Sequence, residues 1–292
     1  DASLTHRTRE VQQAMTDTLY GSGYAIQLTA FPWATKDRFP WNLNPMIKKL
    51  HSGVRRLTRI SDDVIAERRE RREAGDGERH DLLDKLLHLD RDDLRGHLMT
   101  FLIAGSETTA MTVAWCLYYF CLHPDIQDKA RAEADQLGHD PQTIEDLEKL
   151  PFVECCILET LRVQPVAGLL PHECVETTAL DGKEIQPGTV VVVMLRKAMT
   201  ALFEGGTQFK PERWLYHDGS GVDRLRARDH LGFGGGPRQC PGQSMALKEG
   251  TILLATILRH FDRIRHSSDV SIVRRKSKIT HEPENLELVM QR

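Results

Sequence analysis

Residues 233–242, FGGGPRQCPG, place one cysteine, Cys240, in a stiff glycine- and proline-rich loop that runs straight into a helical pattern. From 243 to 261 the apolar residues Leu247, Leu254, Leu258 and Phe261 recur at helical spacing, and Ile252, Leu253 and Ile257 widen the stripe. Cys240 therefore lies just ahead of a helix N-terminus, where free N–H groups and the helix dipole favour a thiolate, the form that ligates metals. Gly234, Gly235 and Gly236 allow backbone paths and close approaches that a side chain would block. Pro237 and Pro241 limit motion on either side of the sulfur, and Arg238 offers a positive charge to an anionic group beside it. For a lone cysteine, a turn holding a small apolar residue is the stronger reading. That reading leaves Phe233, the glycine run, Arg238 and Gly242 unexplained.

Two further groups carry polar chemistry. The hexapeptide AGSETT, residues 104–109, interrupts an otherwise apolar helical pattern with a glycine, an acid and two threonines. Such residues are unfavourable inside a buried helix. Either neighbours satisfy them, a threonine hydroxyl bonding back to a carbonyl, or they serve a site. Glu159 and Arg162 stand three apart on one helix face and can pair, an arrangement that alone is commonplace and worth about 0.2–0.5 kcal/mol. Pro165 follows, and PERW stands at 211–214.

The elements that position these groups are mostly helical. A helix over 8–20 is followed by Gly21-Ser22-Gly23, and the segment to residue 45 reads as loop with local packing. Ile47, Leu50, Val54, Leu57, Ile60 and Val64 define an amphipathic helix. It runs into the charged stretch 66–80, read as a solvated helix end and loop because acids and bases are interleaved and Gly75 and Gly77 stop the helix. A short helix over 81–89 precedes the longest pattern, 92–122, which would span roughly 45 Å. It is apolar nearly all round, so burial is expected. Helices follow at 124–137, 144–150 and 152–163. Strands are expected at 175–180 and 190–195, with turns at Asp181-Gly182 and Pro187-Gly188. Residues 196–208 read as loop, and 271–280 with 286–290 as a closing hairpin.

The 292 residues suffice for a large core. A net charge of −3 argues against a protein built to hold nucleic acid. Cys116, Cys121, Cys155, Cys156, Cys174 and Cys240 include no CxxC pair and no disulfide framework, so free thiols in a reducing compartment are expected. No apolar run is long enough to span a bilayer.

The cysteine stretch resembles the haem-thiolate loop of the cytochrome P450 family, F-x-x-G-x-R-x-C-x-G, matched by Phe233, Gly236, Arg238, Cys240 and Gly242. AGSETT is similar to the oxygen-binding stretch of that family's central helix, and ExxR and PERW resemble its structural signatures. The four motifs fall in the family's order across roughly residues 46–292. The resemblance implies a mainly α fold with a small β part, the cytochrome P450 fold lacking an N-terminal portion. It implies one haem-thiolate domain over 1–292, the C-terminal two-thirds of the family fold, with a poorly defined start at 1–45 and a charged loop at 66–80.

It also implies roles. Cys240 would be the axial ligand of haem b, and Phe233, packed close, would shield its sulfur. Gly234 belongs to the cofactor-binding loop, and Gly105 would leave room over the iron. Thr108 would hydrogen-bond the bound oxygen and Glu107 would relay protons. Arg238 would pair a haem propionate; His172, which falls where the family often has an arginine, would do so more weakly or is simply a surface residue. Glu159, Arg162 and Arg213 would form a buried structural triad. In 196–208 the chain departs from the family, lacking its usual tryptophan and carrying two glycines. The implied activity is oxidation of an apolar substrate by O2, with NADPH used only through a flavoprotein reductase, because the chain has no flavin or nicotinamide fingerprint. The run GPRQCPGQSMALKE is similar to eukaryotic microsomal members, among them fatty-acid hydroxylases. A full-length form would then sit on the cytosolic face of the endoplasmic reticulum membrane, attached through residues upstream of Asp1, whereas the chain as it stands has no anchor and reads as soluble. Isomerase or dehydratase chemistry on the same fold, a shortened chain that only binds haem or no longer does, and a helical interaction protein are the alternatives.

Overall fold

The computed structural model describes residues 7–27, 44–267, 274–277 and 279–292. They belong to two compact units, Asp1–Glu107 and Thr108–Arg292. The chain is mainly α-helical with four two-stranded sheets among the described residues.

The first unit is built from α1 (Thr8–Gln27), α2 (Pro45–Glu73), α3 (Leu82–Leu86) and the first part of α4 (Arg91–Leu122). α1 does not stop at Tyr20 but continues through Gly21-Ser22-Gly23. A Cβ on Gly21 would stand 2.4 Å from Leu50 Cβ, and one on Gly53 2.5 Å from Thr18 Oγ1. The glycines let α1 and α2 close on each other, and that packing outweighs a helix penalty of about 1 kcal/mol per glycine. α2 begins where the Asn44 side chain accepts the Met46 N–H at 2.9 Å, with Pro45 at the first helical position. Its buried stripe includes Ile47, Leu57, Ile60, Val64 and Ile65. The charged run 66–80 is helical as far as Glu73 and is not wholly solvated. Arg68 is buried and grips Asp81 and Asp84, each at 2.8 Å, tying the end of α2 to the start of α3. The segment 28–43, part of the expected N-terminal loop, lies outside the described residues.

α4 corrects the expectation of a wholly buried helix. Its C-terminal half is in a core, with Val113, Cys116, Leu117 and Phe120 buried. From 94 to 110 only Leu94 and Thr109 are buried. Within the first unit, Leu94 and Leu98 pack with Ile60, Val64, Ile65 and Leu83, and Met99 and Ile103 against Ala14, Met15 and Leu57.

The second unit continues through α5 (Pro124–Gln136), α6 (Ile144–Glu148) and α7 (Pro151–Val163). After the β-ribbons come α8 (Leu195–Leu202) and α9 (Gln243–His260). α7 is the hub: every residue from Cys155 to Val163 is buried, and it packs on α5, α8, α9 and the 3₁₀ turn Pro211–Trp214. A Cβ on Gly250 of α9 would lie 2.7 Å from Ile157 Cδ1, so this helix pair is in close contact. α8 occupies residues expected as loop.

The strand β1 (Leu169–Glu173), absent from the expectations, pairs antiparallel with β4 (Val190–Met194), Leu169 facing Met194 and Glu173 facing Val190. Pro171 disguises it, yet a two-stranded ribbon leaves an open edge where proline is tolerated. β2 (Thr178–Leu180) and β3 (Lys183–Ile185) form a hairpin across Asp181 and Gly182, both at positive φ, +49° and +73°, the geometry of a type I′ turn. The expected C-terminal hairpin is replaced by two others. β6 (Arg274–Ser277) pairs with β7 (His281–Glu284), and β8 (Leu288–Gln291) returns to β5 (Arg263–His266). Residues 271–273 and 278 of the expected strand lie outside the described residues. Two bonds anchor β7 and decide that pairing: Trp115 Nε1 donates to the His281 carbonyl at 2.9 Å, and the His281 N–H to Val166 at 2.8 Å.

Candidate functional site

Glu159 on α7 is fully buried, and its carboxylate accepts five hydrogen bonds. Arg162, one turn on, donates Nε to Oε2 at 2.8 Å and Nη2 to Oε1 at 2.9 Å. Arg213 donates Nε at 3.0 Å, Trp214 its Nε1 at 2.9 Å, and the Lys210 backbone N–H at 2.8 Å. Two guanidiniums against one carboxylate leave a surplus positive charge in the interior. Backbone carbonyls of the loop after α8 take it up: Arg162 donates to Gly206 at 2.6 Å and Gln208 at 2.8 Å, and Arg213 to Glu204 at 3.3 Å. A buried ion group is tolerable only with such full pairing.

That carbonyl cradle was not visible in the sequence. Glu204, Gly205 and Gly206 belong to the stretch singled out only as a departure from the family. Gly205 has φ +60°, and a Cβ on Gly206 would stand 2.0 Å from the Thr200 carbonyl oxygen. The glycines thus shape a loop that turns its carbonyls onto the arginines. The glycine pair just ahead of PERW is the one signal that could have shown it.

The cysteine loop is held by backbone. The Cys240 N–H donates to the Phe233 carbonyl at 2.9 Å, closing the loop on itself. 3₁₀ turns at Leu231–Phe233 and Gly236–Arg238 bracket Gly234 and Gly235, and Gly234 and Gly236 have φ +73° and +67°. Only glycine takes such backbone without strain. Leu170 of β1 comes within 3.9 Å of where a Gly234 Cβ would be, so the β1–β4 ribbon lies against this loop. His172, two residues on, shares the ribbon face of Leu170 and is exposed. Cys240 is exposed, whereas Cys116, Cys155 and Cys156 are buried. Burial pushes the Cys116 thiol up to about 12 and those of Cys155 and Cys156 higher than their ordinary value. Arg238 is also exposed and forms no ion pair with any described residue.

A second residue missed in the sequence links cluster and loop. His230 is 5% exposed; its Nε2 bonds the Leu158 carbonyl at 2.8 Å and its Nδ1 accepts the Gly232 N–H at 3.1 Å. Its ring meets Trp214 edge-on at 5.2 Å and lies 6.2 Å from Phe233. Burial lowers its pKa from 6.5 to about 4, so the ring is neutral near pH 7.

On α4, Gly105 and Glu107 fall at the end of the first unit and Thr108 at the start of the second. A Cβ on Gly105 would meet nothing within 4 Å. Glu107 and Thr108 are half-buried, and the Thr108 carbonyl accepts the Thr112 hydroxyl at 2.8 Å. The structure thus joins Glu159, Arg162 and Arg213 in one cluster and Phe233, Gly234 and Cys240 in one loop.

The family model described as Cytochrome P450 matches residues 9–290. The chain belongs to the cytochrome P450 family. It is 37% identical over 180 residues to the putative cytochrome P450 CYP13A7 of Caenorhabditis elegans, covering 60% of this chain and 34% of that protein. It is 30% identical over 251 residues to a bifunctional cytochrome P450/NADPH–P450 reductase of Bacillus cereus, covering 81% and 22%. It is 30% identical over 270 residues to the cyclooctat-9-en-7-ol 5-monooxygenase of Streptomyces melanosporofaciens, covering 88% and 55%. The chain therefore spans between about a fifth and just over half of the length of these curated relatives.

Cytochrome P450 membership implies haem, and the donor set of the loop fits it. Among the described residues no group of three His, Cys, Asp or Glu side chains could hold a bare metal ion. One exposed thiol can supply one axial ligand to an iron whose other ligands come from a macrocycle. Beside that thiol, a Cβ on Gly235 or Gly236 would meet nothing within 4 Å, leaving bare backbone with room for a flat group. In this P450 chain no helix among the described residues is long and apolar enough to cross a membrane.

Proposed function

We propose that this chain carries the haem-thiolate centre of a monooxygenase that inserts one atom of O2 into an apolar organic substrate, a long-chain fatty acid or similar lipid. The observation that carries this reading is Cys240, an exposed thiol in a loop whose backbone is already closed by the Phe233–Cys240 hydrogen bond. Haem held by a thiolate supplies an electron-rich iron that favours O–O cleavage. The Cys240 sulfur would hold the iron, and Phe233, partly buried against the core, would screen that sulfur from water and so tune it. Arg238, with His172 on the adjoining ribbon, would neutralise the haem carboxylates. By the family resemblance Gly105 would leave room for the bound group, and Thr108 with Glu107 would hold and pass protons. Glu159, Arg162 and Arg213 touch no reacting atom in this reading; they hold the frame behind the loop.

Electrons would come from NADPH through a flavoprotein reductase, an assignment supported by the Bacillus cereus relative, whose name joins a P450 to such a reductase. The lipid assignment rests on the likeness of residues 236–249 to microsomal fatty-acid hydroxylases, as does a place at the endoplasmic reticulum membrane for a longer form. A second reading, a chain that binds haem without turnover, is favoured by the cysteine loop itself, which is closed on its own backbone and needs no oxygen chemistry to seat the group. Reconstitution with haem, an NADPH–cytochrome P450 reductase, lauric acid and isotopically labelled O2 separates the two. Labelled hydroxylaurate from the unaltered chain, and none from Cys240→Ser, is expected. Haem uptake through Cys240 without labelled product from lauric acid or from other apolar substrates would leave the carrier reading in place.

A further inference from the structure

His230 sits where three parts of the second unit meet. Below it is α7, whose Leu158 carbonyl faces Nε2. Beside it is Trp214, which itself donates to Glu159. Above it is the start of the cysteine loop, whose Gly232 N–H points at Nδ1. A carbonyl on one side and an N–H on the other admit one arrangement of the ring: neutral, with its proton on Nε2. The cationic ring would set an Nδ1 proton against the Gly232 N–H, beside a cluster in which Arg162 and Arg213 already share the Glu159 carboxylate. Gly232 is fitted to the same ring, because a Cβ there would stand 2.4 Å from His230 Cε1 and 3.2 Å from Leu161 Cβ. One residue further on, Phe233 gives its carbonyl to Cys240.

We propose that His230 is a positioning residue: its neutral imidazole pins the cysteine loop to α7 and the Glu159 cluster, and so fixes where the Cys240 sulfur is presented. This rests on the haem-thiolate reading for its purpose but not for its geometry. The ring does two separable things, donating to Leu158 and accepting from Gly232. The second sets the loop, for it copies the i to i+2 turn that an asparagine side chain makes with its own backbone.

The test uses His230→Asn, which keeps an acceptor for the Gly232 N–H, His230→Gln, which offers a donor towards Leu158, and His230→Phe, which keeps only the ring. Amide hydrogen exchange in the haem-free chain is the first readout. Expected is exchange of the Gly232 and Cys240 amides at least about tenfold faster in the Gln and Phe variants, with α7 amides unchanged and the Asn variant close to the parent, since a lost local bond opens its own segment first. The second readout, after haem loading, is the ferrous–carbon monoxide spectrum, with the thiolate band diminished in the Gln variant and restored in the Asn variant. Equal loop exchange in Asn and Gln, or no change in the Gln variant, would overturn the proposal; should the Phe variant fail to fold, the Asn and Gln pair still decides. If the parent itself shows no Cys240-dependent band, the haem-thiolate reading fails while the exchange comparison still judges His230.

Discussion

Glu159 and Cys240 lie at the centres of two regions built on opposite plans. Every part of the Glu159 carboxylate is engaged: five donors converge on it from Arg162, Arg213, Trp214 and the Lys210 backbone. Around Cys240 the backbone is fixed but the sulfur is exposed, beside an exposed Arg238 and glycines with open space before them. The first region spends its chemistry on the protein itself, so its charges are structural. The second holds a reactive side chain in place without using it, which is how a site for an outside group is made. His230 belongs to both, and the stiffness of the first reaches the second through it.

The contrast can be broken most directly by deletion. Glu159→Ala leaves two buried guanidiniums without their carboxylate and should cost roughly 3–5 kcal/mol of stability, whereas Cys240→Ala at an exposed position should stay within about 0.5 kcal/mol of the parent. Urea unfolding of both variants measures this, and equal losses would erase the distinction. A change in pH sharpens it. Between pH 6.5 and about 4 the unfolded chain binds a proton at His230 that the folded chain refuses. Stability from this residue is therefore full above pH 6.5 and falls as the pH drops, by on the order of 3 kcal/mol across the window. The unfolding free energy of His230→Asn relative to the parent should shift in the variant's favour by on the order of 3 kcal/mol between pH 6.5 and about 4, because the variant lacks this slope; parallel curves would contradict it. Smaller again is a pair of glycine substitutions. Gly206→Ala drives a Cβ into the Thr200 carbonyl and should cost roughly 1–3 kcal/mol. Gly235→Ala, at φ −160° with open space around it, should be nearly silent, within about 0.5 kcal/mol. Thermal unfolding compares the two.

The sequence made some of this readable and hid the rest for physical reasons. The helix carrying Glu159 shows in its apolar period, and the types and spacing of Glu159, Arg162, Phe233, Arg238 and Cys240 stand out because few sequences need them together. What neutralises the arginines does not show, since the carbonyls of Glu204, Gly206 and Gln208 are backbone and every residue has one. His230 is equally silent: its neighbours Leu158 and Trp214 are 72 and 16 positions away or more, and nothing local marks it. The strand at Leu169–Glu173 is masked by Pro171, and the continuation of α1 through Gly21 and Gly23 depends on Leu50 across the helix pair. Local pattern reports propensity; close packing between distant segments overrides it.

The central claim, that the loop is a ready-made thiolate seat for haem, is tested most directly by the ferrous–carbon monoxide difference spectrum of the haem-loaded 292-residue chain beside Cys240→Ala. A strongly red-shifted band in the parent, absent from a variant that is otherwise equally stable, is the predicted result. Haem uptake with the same band in both chains, or no uptake by the folded parent, would contradict it.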